Sequence, residues 1–220
     1  MSELKLAVDA VVFGYNDAGL HVLLIKRGIE PFKDIWAIPG GFAQVDETLE
    51  ETVKRELNEE AGITNVFLEQ LYTFSDISRD PRGRVISAAY YCLVSPKEHR
   101  IKASTDAKDV AWFPIKELPE LAFDHKDIIK VAFERLKGKI KYQPVGFELM
   151  PNKFTIKELR LLYETIWERP LERSNFQKRI KTLDLVKEVA SGDHKNSTKI
   201  FSFNKKVYKK FNKDGFYFEI

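Results

Sequence analysis

Residues 40–63 read GGFAQVDETLEETVKRELNEEAGI. The run from Thr48 to Ala61 has the pattern of a helix, stopped by Gly62. At about 100° per residue, Leu49, Val53 and Leu57 form a stripe about 80° wide, the side that seeks a core. On the same wheel Glu60 falls at about 20°, Glu56 at about 340° and Glu59 at about 280°, so three acids overlap or flank the buried side. Lys54, Asn58 and Glu51 take the outward arc. A merely solvated acidic face would oppose the apolar stripe, and this one does not. Glu56 and Glu60 are like charges four residues apart, which repel. Carboxylates held partly buried together require cations. Arg55 supplies one, bridging towards Glu59 and orienting it. A hard divalent ion with oxygen ligands, Mg2+ or Mn2+, is the natural other. Gly40 and Gly41 bring backbone close to the helix and offer a carbonyl oxygen as a further ligand.

Outward from this helix, residues 5–13 and 20–27 read as two strands of a hairpin joined by the turn Asn16-Asp17-Ala18-Gly19. Strands are expected at 66–74 and 85–94 with a polar loop, Ser75 to Arg84, between them, then a short strand at 110–113 and a helix at 124–137. Strands and helices without strict alternation predict an α/β (α+β) fold, including an α/β/α sandwich. Gly138, Pro144, Gly146 and Pro151 mark a boundary, so the division expected is 1–140, a linker at 141–152, and a second domain at 153–220. There Thr155 to Glu158 reads as a capping box opening a helix to about Glu168, and Ser174 to Gln177 as a second one opening a helix to about Thr182. Leu185 to Val189, a Ser191-Gly192 turn and 199–203 read as a two-stranded wing, the pattern of a winged helix-turn-helix.

Charge divides in the same place. Residues 1–140 carry 19 Lys and Arg against 23 Asp and Glu, a net −4, and residues 141–220 carry 17 against 10, a net +7. At 220 residues, 44% hydrophobic and 31% charged, the composition permits a buried core and excludes a disordered chain. No run of about 18 apolar residues occurs, so no membrane partner is expected. Met1 to Asp9 lacks the apolar stretch of a secretory signal. Cys92 is the one cysteine, which excludes an internal disulfide or a cysteine metal cluster and makes a reducing, cytoplasmic setting the expectation.

The stretch from Gly41 to Ile63 resembles the Nudix hydrolase signature at every defined position: Gly41, Glu47, Arg55-Glu56-Leu57, Glu59-Glu60 and Gly62-Ile63 at the required spacings. The resemblance implies an α/β/α sandwich and metal-assisted hydrolysis of a diphosphate linked to a nucleoside. It makes Glu56, Glu59 and Glu60 the metal ligands, with the carbonyl of Gly40 or Gly41, and gives Glu47 a supporting role. Three arginines, Arg79, Arg82 and Arg84, fall within six residues of the Ser75–Arg84 loop, and guanidinium groups suit phosphates and stack on bases. Residues 79–87 look like the corresponding segment of Nudix proteins that handle ADP-ribose. Arg79, Asp80, Arg82 and Arg84, with Gly41, are therefore the expected substrate residues. Trp36 and Phe42 are either base-stacking or core residues. Asp106 and Asp109 are candidates for the general base or ordinary loop acids. His125 is read as bracing the helix at 124–137, and Cys92 as core.

In the second short helix Phe176, Ile180 and Leu183 share one face, which leaves Asn175, Lys178, Arg179 and Lys181 outward to enter a DNA major groove. Arg173 precedes them. Lys195 and Lys199 belong to the wing, and Lys205, Lys206, Lys209 and Lys210 add charge for phosphates. A full Nudix signature followed by a basic winged helix is similar to the Nudix-related transcriptional regulator (NrtR) family. Residues 147–155 and 169–176 resemble that family's linker, first helix and second-helix entry. The resemblance implies a repressor, usually a homodimer, that leaves double-stranded DNA when its Nudix domain binds ADP-ribose or a related metabolite. Members control NAD cofactor synthesis, and some relatives sugar catabolism. Many such regulators have a decayed signature, whereas this chain keeps every carboxylate, so hydrolysis is expected beside sensing. The alternatives are a housekeeping ADP-ribose hydrolase with a basic tail that does not bind DNA, and a sugar-responsive regulator with an inactive Nudix domain.

Overall fold

A strand apolar on both faces has to lie inside a sheet, and β1 (Lys5–Asn16) does, with residues 7–14 all buried. The computed structural model describes residues 4–99, 101, 107–190 and 199–214, in two compact units, residues 1–135 and 136–220.

In the first unit β1 turns at Asn16–Gly19 into β2 (Gly19–Arg27), with Phe13 opposite Val22. Along its other edge β1 runs parallel to β6 (Val85–Val94), and β6 pairs antiparallel with β5 (Phe67–Phe74). β2 pairs with β7 (Ala107–Pro114) along one edge, and on the other it passes from β1 to β3 (Trp36–Ala37). The edge it vacates is taken by β4 (Gly40–Phe42), which sets Val8 opposite Gly41 and Asp9 opposite Gly40. This parting of β2 from β4 opens the cleft described below.

Helix α1 (Leu49–Ala61) covers one face. Val53, Leu57 and Ala61 pack with Val8, Ala10 and Val12 of β1 and Ala88, Tyr90 and Cys92 of β6. Its Thr48–Glu51 capping box is formed, and Gly62 ends it in the left-handed region at φ 67°, where glycine carries no Cβ penalty. Cys92 is core, its thiol pushed up by burial. Asp9 alternates with Val8 and Ala10, so it points to the opposite face. Helix α2 (His125–Lys139) begins there, with His125 Nε2 3.4 Å from Asp9 Oδ1.

Residues 141–152, expected as a linker, fall in the second unit. They hold a short 3-10 helix, Val145–Leu149, and Val145, Phe147 and Leu149 are buried. The Phe147 ring stacks on Phe203 at 4.3 Å, so apolar side chains draw the segment into this unit's core. Helices α3 (Ile156–Trp167) and α4 (Arg173–Thr182) follow, then β8 (Val186–Ala190) and β9 (Ile200–Phe203), with Phe154 bridged to Phe201. The Thr155–Glu158 capping box forms as expected. The second one does not: α4 is capped by Glu172, whose carboxylate accepts from the Ser174 and Asn175 amides at 2.9 and 2.6 Å. An acid there also suits the positive end of the helix. A further helix, α5 (Lys205–Asp214), carries Lys205, Lys206, Lys209 and Lys210, read above as added charge for phosphates. Residues 191–198, with the expected wing turn and Lys195, lie outside the described residues. Among the described residues no helix is long and apolar enough to cross a membrane.

Candidate functional site

The cleft beside β4 has a volume of about 230 Å³. Backbone approach builds one wall. A Cβ at Gly41 would lie 2.1 Å from Glu56 Oε1, and one at Gly40 2.3 Å from the Val8 carbonyl. At Gly40 the obstacle is backbone, so only glycine lets β4 lie this close to β1; at Gly41 it is the end of the Glu56 side chain, which a Cβ would displace. The Gly40 amide donates to Glu60 Oε2 at 2.9 Å.

Arg55 organises the acids. It is bidentate to Glu47, with Nε–Oε1 at 2.7 Å and Nη2–Oε2 at 3.0 Å, and it reaches Glu56 at 2.7 Å, Glu59 at 3.1 Å and the Phe42 carbonyl at 3.3 Å. The orienting contact to Glu59 is as expected, but the main partner is Glu47, which holds the arginine firmly charged. Burial raises the Glu56 carboxyl above its ordinary range, with Arg55 opposing. Glu56 and Glu60 line the cleft. Glu59 does not join them: it is turned to Arg55 and its side chain is half exposed. Among the described residues no three acidic, histidine or cysteine side chains are placed to hold a metal ion, and Arg55 engages Glu47, Glu56 and Glu59. The donor set still fits a hard divalent ion. It is all oxygen, and the part-buried Glu56 lies in a site that favours a further cation.

The loop arginines part company. Arg79, expected as a substrate residue, lines the cleft but is only 8% exposed. It is bidentate to Asp124 at 3.0 and 2.8 Å and bonded to Asp9 at 2.9 Å. Burial works against its charge, but the two carboxylates more than reverse that. Arg82 faces the cleft, stacked 4.9 Å above the Phe42 ring and steered by the buried Asp80 at 2.7 Å. Arg84 is spent on the Ser75 and Asp76 carbonyls at 2.8 and 3.1 Å and is not part of the cleft wall.

Residues outside the expected set complete the site. Asp9 is buried among His125, Arg79 and the Ser87 hydroxyl, which donates at 2.6 Å. Burial alone would raise its carboxyl, but these partners hold it down to about 2. His125 Nδ1 accepts the Ile38 amide at 3.1 Å, which leaves the Nε2 proton facing Asp9. His125 thus braces the start of α2, as expected. Arg27 donates to the Pro31 carbonyl at 2.8 Å and lies 4.9 Å over Phe123, the ring that also carries Arg82 at 5.5 Å. Burial and then repulsion from Arg82 lower the Arg27 guanidinium. Two crowded cations on one ring make this end of the cleft seek an anion. Phe123 itself sits at φ 53°, a strained conformation for an aromatic residue. The sequence signals for these residues were slight: a lone acid in an apolar strand for Asp9, the last residue of one for Arg27.

Of the two aromatic candidates, Phe42 lines the cleft and Trp36 packs edge-on against Phe113 at 4.7 Å. Asp109 is exposed, its carboxylate accepts from the Val110 amide, and it is not among the residues that line the cleft. Asp106 lies outside the described residues.

In the second unit α4 buries Phe176 and Ile180 and exposes Arg173, Asn175, Lys178 and Lys181, with Arg179 half-buried. Lys199 precedes β9 and pairs with Glu188 at 2.8 Å. Lys206 is exposed on α5.

Comparison with known proteins joins the two halves. The NUDIX domain family matches residues 3–132, and the NrtR DNA-binding winged helix domain matches residues 146–203. The ADPR responsive transcriptional repressor NtrR of Acinetobacter baylyi is 35% identical over 83% of this chain and 74% of its own. The ADP-ribose pyrophosphatase of Methanocaldococcus jannaschii is 44% identical over 56% of this chain and 70% of its own. Shewanella oneidensis NrtR, crystallised with a 27mer DNA, superposes with a TM-score of 0.80 at 33% identity, covering 93% of this chain and 95% of that one.

Proposed function

The chain belongs to the Nudix family and carries an NrtR DNA-binding winged helix domain, and on that premise we propose that it is an ADP-ribose-responsive, DNA-binding transcriptional regulator that also hydrolyses its ligand. The observation that carries this reading is the pairing, in one chain, of an anion-seeking cleft floored by Glu56 and Glu60 with a winged helix that exposes Asn175, Lys178 and Lys181.

In the cleft, Arg82 and Arg27 bind the diphosphate, and Phe42 and Phe123 present faces to the rest of the ligand. Asp80 aims Arg82. Arg79, Asp9, Asp124 and His125 hold the floor rigid and take no direct part. Glu56, Glu60, the Gly40 carbonyl and a Glu59 released from Arg55 would hold Mg2+ or Mn2+. Bound there, the ion would neutralise diphosphate charge and lower the pKa of a water. Arg55 and Glu47 orient the carboxylates. In the second unit, α4 enters the major groove with Arg173, Asn175, Lys178, Arg179 and Lys181, and Lys199 and Lys206 meet phosphates. The working form is a homodimer, which sets two such helices on one side of a palindromic duplex. A regulator acts beside the chromosome in a reducing cytoplasm, a setting that suits the lone buried Cys92.

The test is an anisotropy titration of the full chain against the duplex upstream of its own gene. Binding tighter than to random duplex, and weakened by ADP-ribose, is expected. Equal binding to both duplexes, unmoved by ligand, would leave a hydrolase with a basic tail.

A further inference from the structure

The second unit holds a cleft of about 430 Å³ between α3, α4 and the wing strand β9. Lys157 and Arg160 line it from α3, Arg173 and Gln177 from α4, and Lys199 from the start of β9. Four cations from three elements thus face one hollow. Two of them are held by the fold. Arg160 pairs with Glu164 and donates to the Leu171 carbonyl at 3.2 Å, and Lys199 pairs with Glu188. Lys157 and Arg173 make no ion pair among the described residues. At the start of α3 the capping box takes up the Thr155 and Glu158 amides, and the positive charge facing the hollow is that of the lysine and arginine side chains.

Resting on the DNA-binding reading above, we infer that this cleft holds one backbone phosphate of the duplex and that Lys157 is a DNA-contacting residue. Its place decides for DNA over a free anion. Arg173 begins the helix whose Asn175 and Lys178 face outward, and Lys199 begins the wing strand. A phosphate held between them flanks the groove that α4 enters. Such a contact positions the protein without reading sequence. Gln177 offers an amide donor for the same oxygens.

The prediction is quantitative. Each neutralised phosphate contributes a slope of about −0.9 to log K against log salt, or about eightfold in affinity at 0.1 M salt. Lys157→Ala in the full-length protein should weaken the upstream duplex and a random duplex by the same factor, about eightfold, and flatten the salt slope by about one. Arg173→Ala should do the same. Lys130→Ala removes the same charge from an exposed position on α2 and should change neither. Inorganic phosphate, followed by 31P linewidth, should compete only at concentrations that also displace DNA. If the wild type binds duplex specifically but Lys157→Ala and Arg173→Ala keep its affinity and slope, the inference is wrong while the regulator reading stands. If those variants lose phosphate binding and leave DNA binding intact, the cleft is a free-anion site and the inference is likewise overturned. A wild type that binds no duplex above background overturns both.

Discussion

The two units use the same charged residue types in opposite ways. In the first, Arg79 is 8% exposed and shared between Asp9 and Asp124, and Arg55 is locked among Glu47, Glu56 and Glu59. In the second, Lys178, Lys181 and Lys206 stand in solvent over a core of Phe147, Phe154, Tyr163 and Phe176. Buried charges with fixed partners are rigid, and each is expensive to orphan. Exposed charges contribute little to folding, but they give long-range attraction for a polyanion. A ligand of one or two phosphates calls for the first arrangement, a duplex for the second.

The contrast breaks most visibly at Arg79. Arg79→Ala leaves the buried Asp9 and the part-buried Asp124 without their cation and should cost about 3–5 kcal/mol in denaturant unfolding. Lys178→Ala should stay within about 0.5 kcal/mol in the same assay. Comparable losses at the two positions would erase the distinction. Next in size is Glu60→Gln, which keeps an oxygen for the Gly40 amide but loses the charge. AMP release from ADP-ribose with Mg2+ should fall at least about a hundredfold, several kcal/mol of charge stabilisation. Chelation should do the same without unfolding the chain. Turnover retained in either case would move hydrolysis off this helix.

Acid should act through Asp9. Its folded value, about 2, lies below the ordinary 3.8, so its stabilisation is complete above about pH 5 and is lost as pH falls from about 4 to 2. The amount at stake is about 2 kcal/mol. Unfolding midpoints of wild type and Asp9→Asn across that range should differ in slope, and parallel slopes would contradict the assignment. The smallest effect separates two neighbours. Arg82→Ala should weaken ADP-ribose by about tenfold, or about 1.4 kcal/mol, in calorimetry, whereas Arg84→Ala, its guanidinium turned to loop carbonyls, should stay within about twofold. Equal losses would place Arg84 back in the site.

How far the sequence could be read follows from the range of each interaction. Helix α1, its stop at Gly62 and the cleft side of Glu56 and Glu60 are local, set by periodicity within one turn or two. So is the apolar face of α4. What escaped is long-range or competitive. Arg79 finds Asp9 and Asp124 at separations of 70 and 45 residues, so its spacing to Arg82 and Arg84 says nothing of its burial. Phe123 and Arg27 meet only after β2 has left β1. Glu172 outcompeted Ser174 as the cap because its carboxylate reaches two amides at once. Helix α5 was hidden by its lysines, although Val207, Tyr208 and Phe211 have helical spacing and the Tyr208 ring meets Phe203 at 4.8 Å.

The central claim is that the cleft and the winged helix are energetically linked. Linkage is reciprocal: if ADP-ribose weakens duplex binding by some factor, duplex must weaken ADP-ribose binding by the same factor. Calorimetric titration of ADP-ribose into the metal-free full chain, alone and saturated with its upstream duplex, measures this directly. The account predicts weaker ADP-ribose binding in the presence of DNA, by a factor equal to the loss of duplex affinity at saturating ligand. An ADP-ribose affinity unchanged by bound duplex would contradict it.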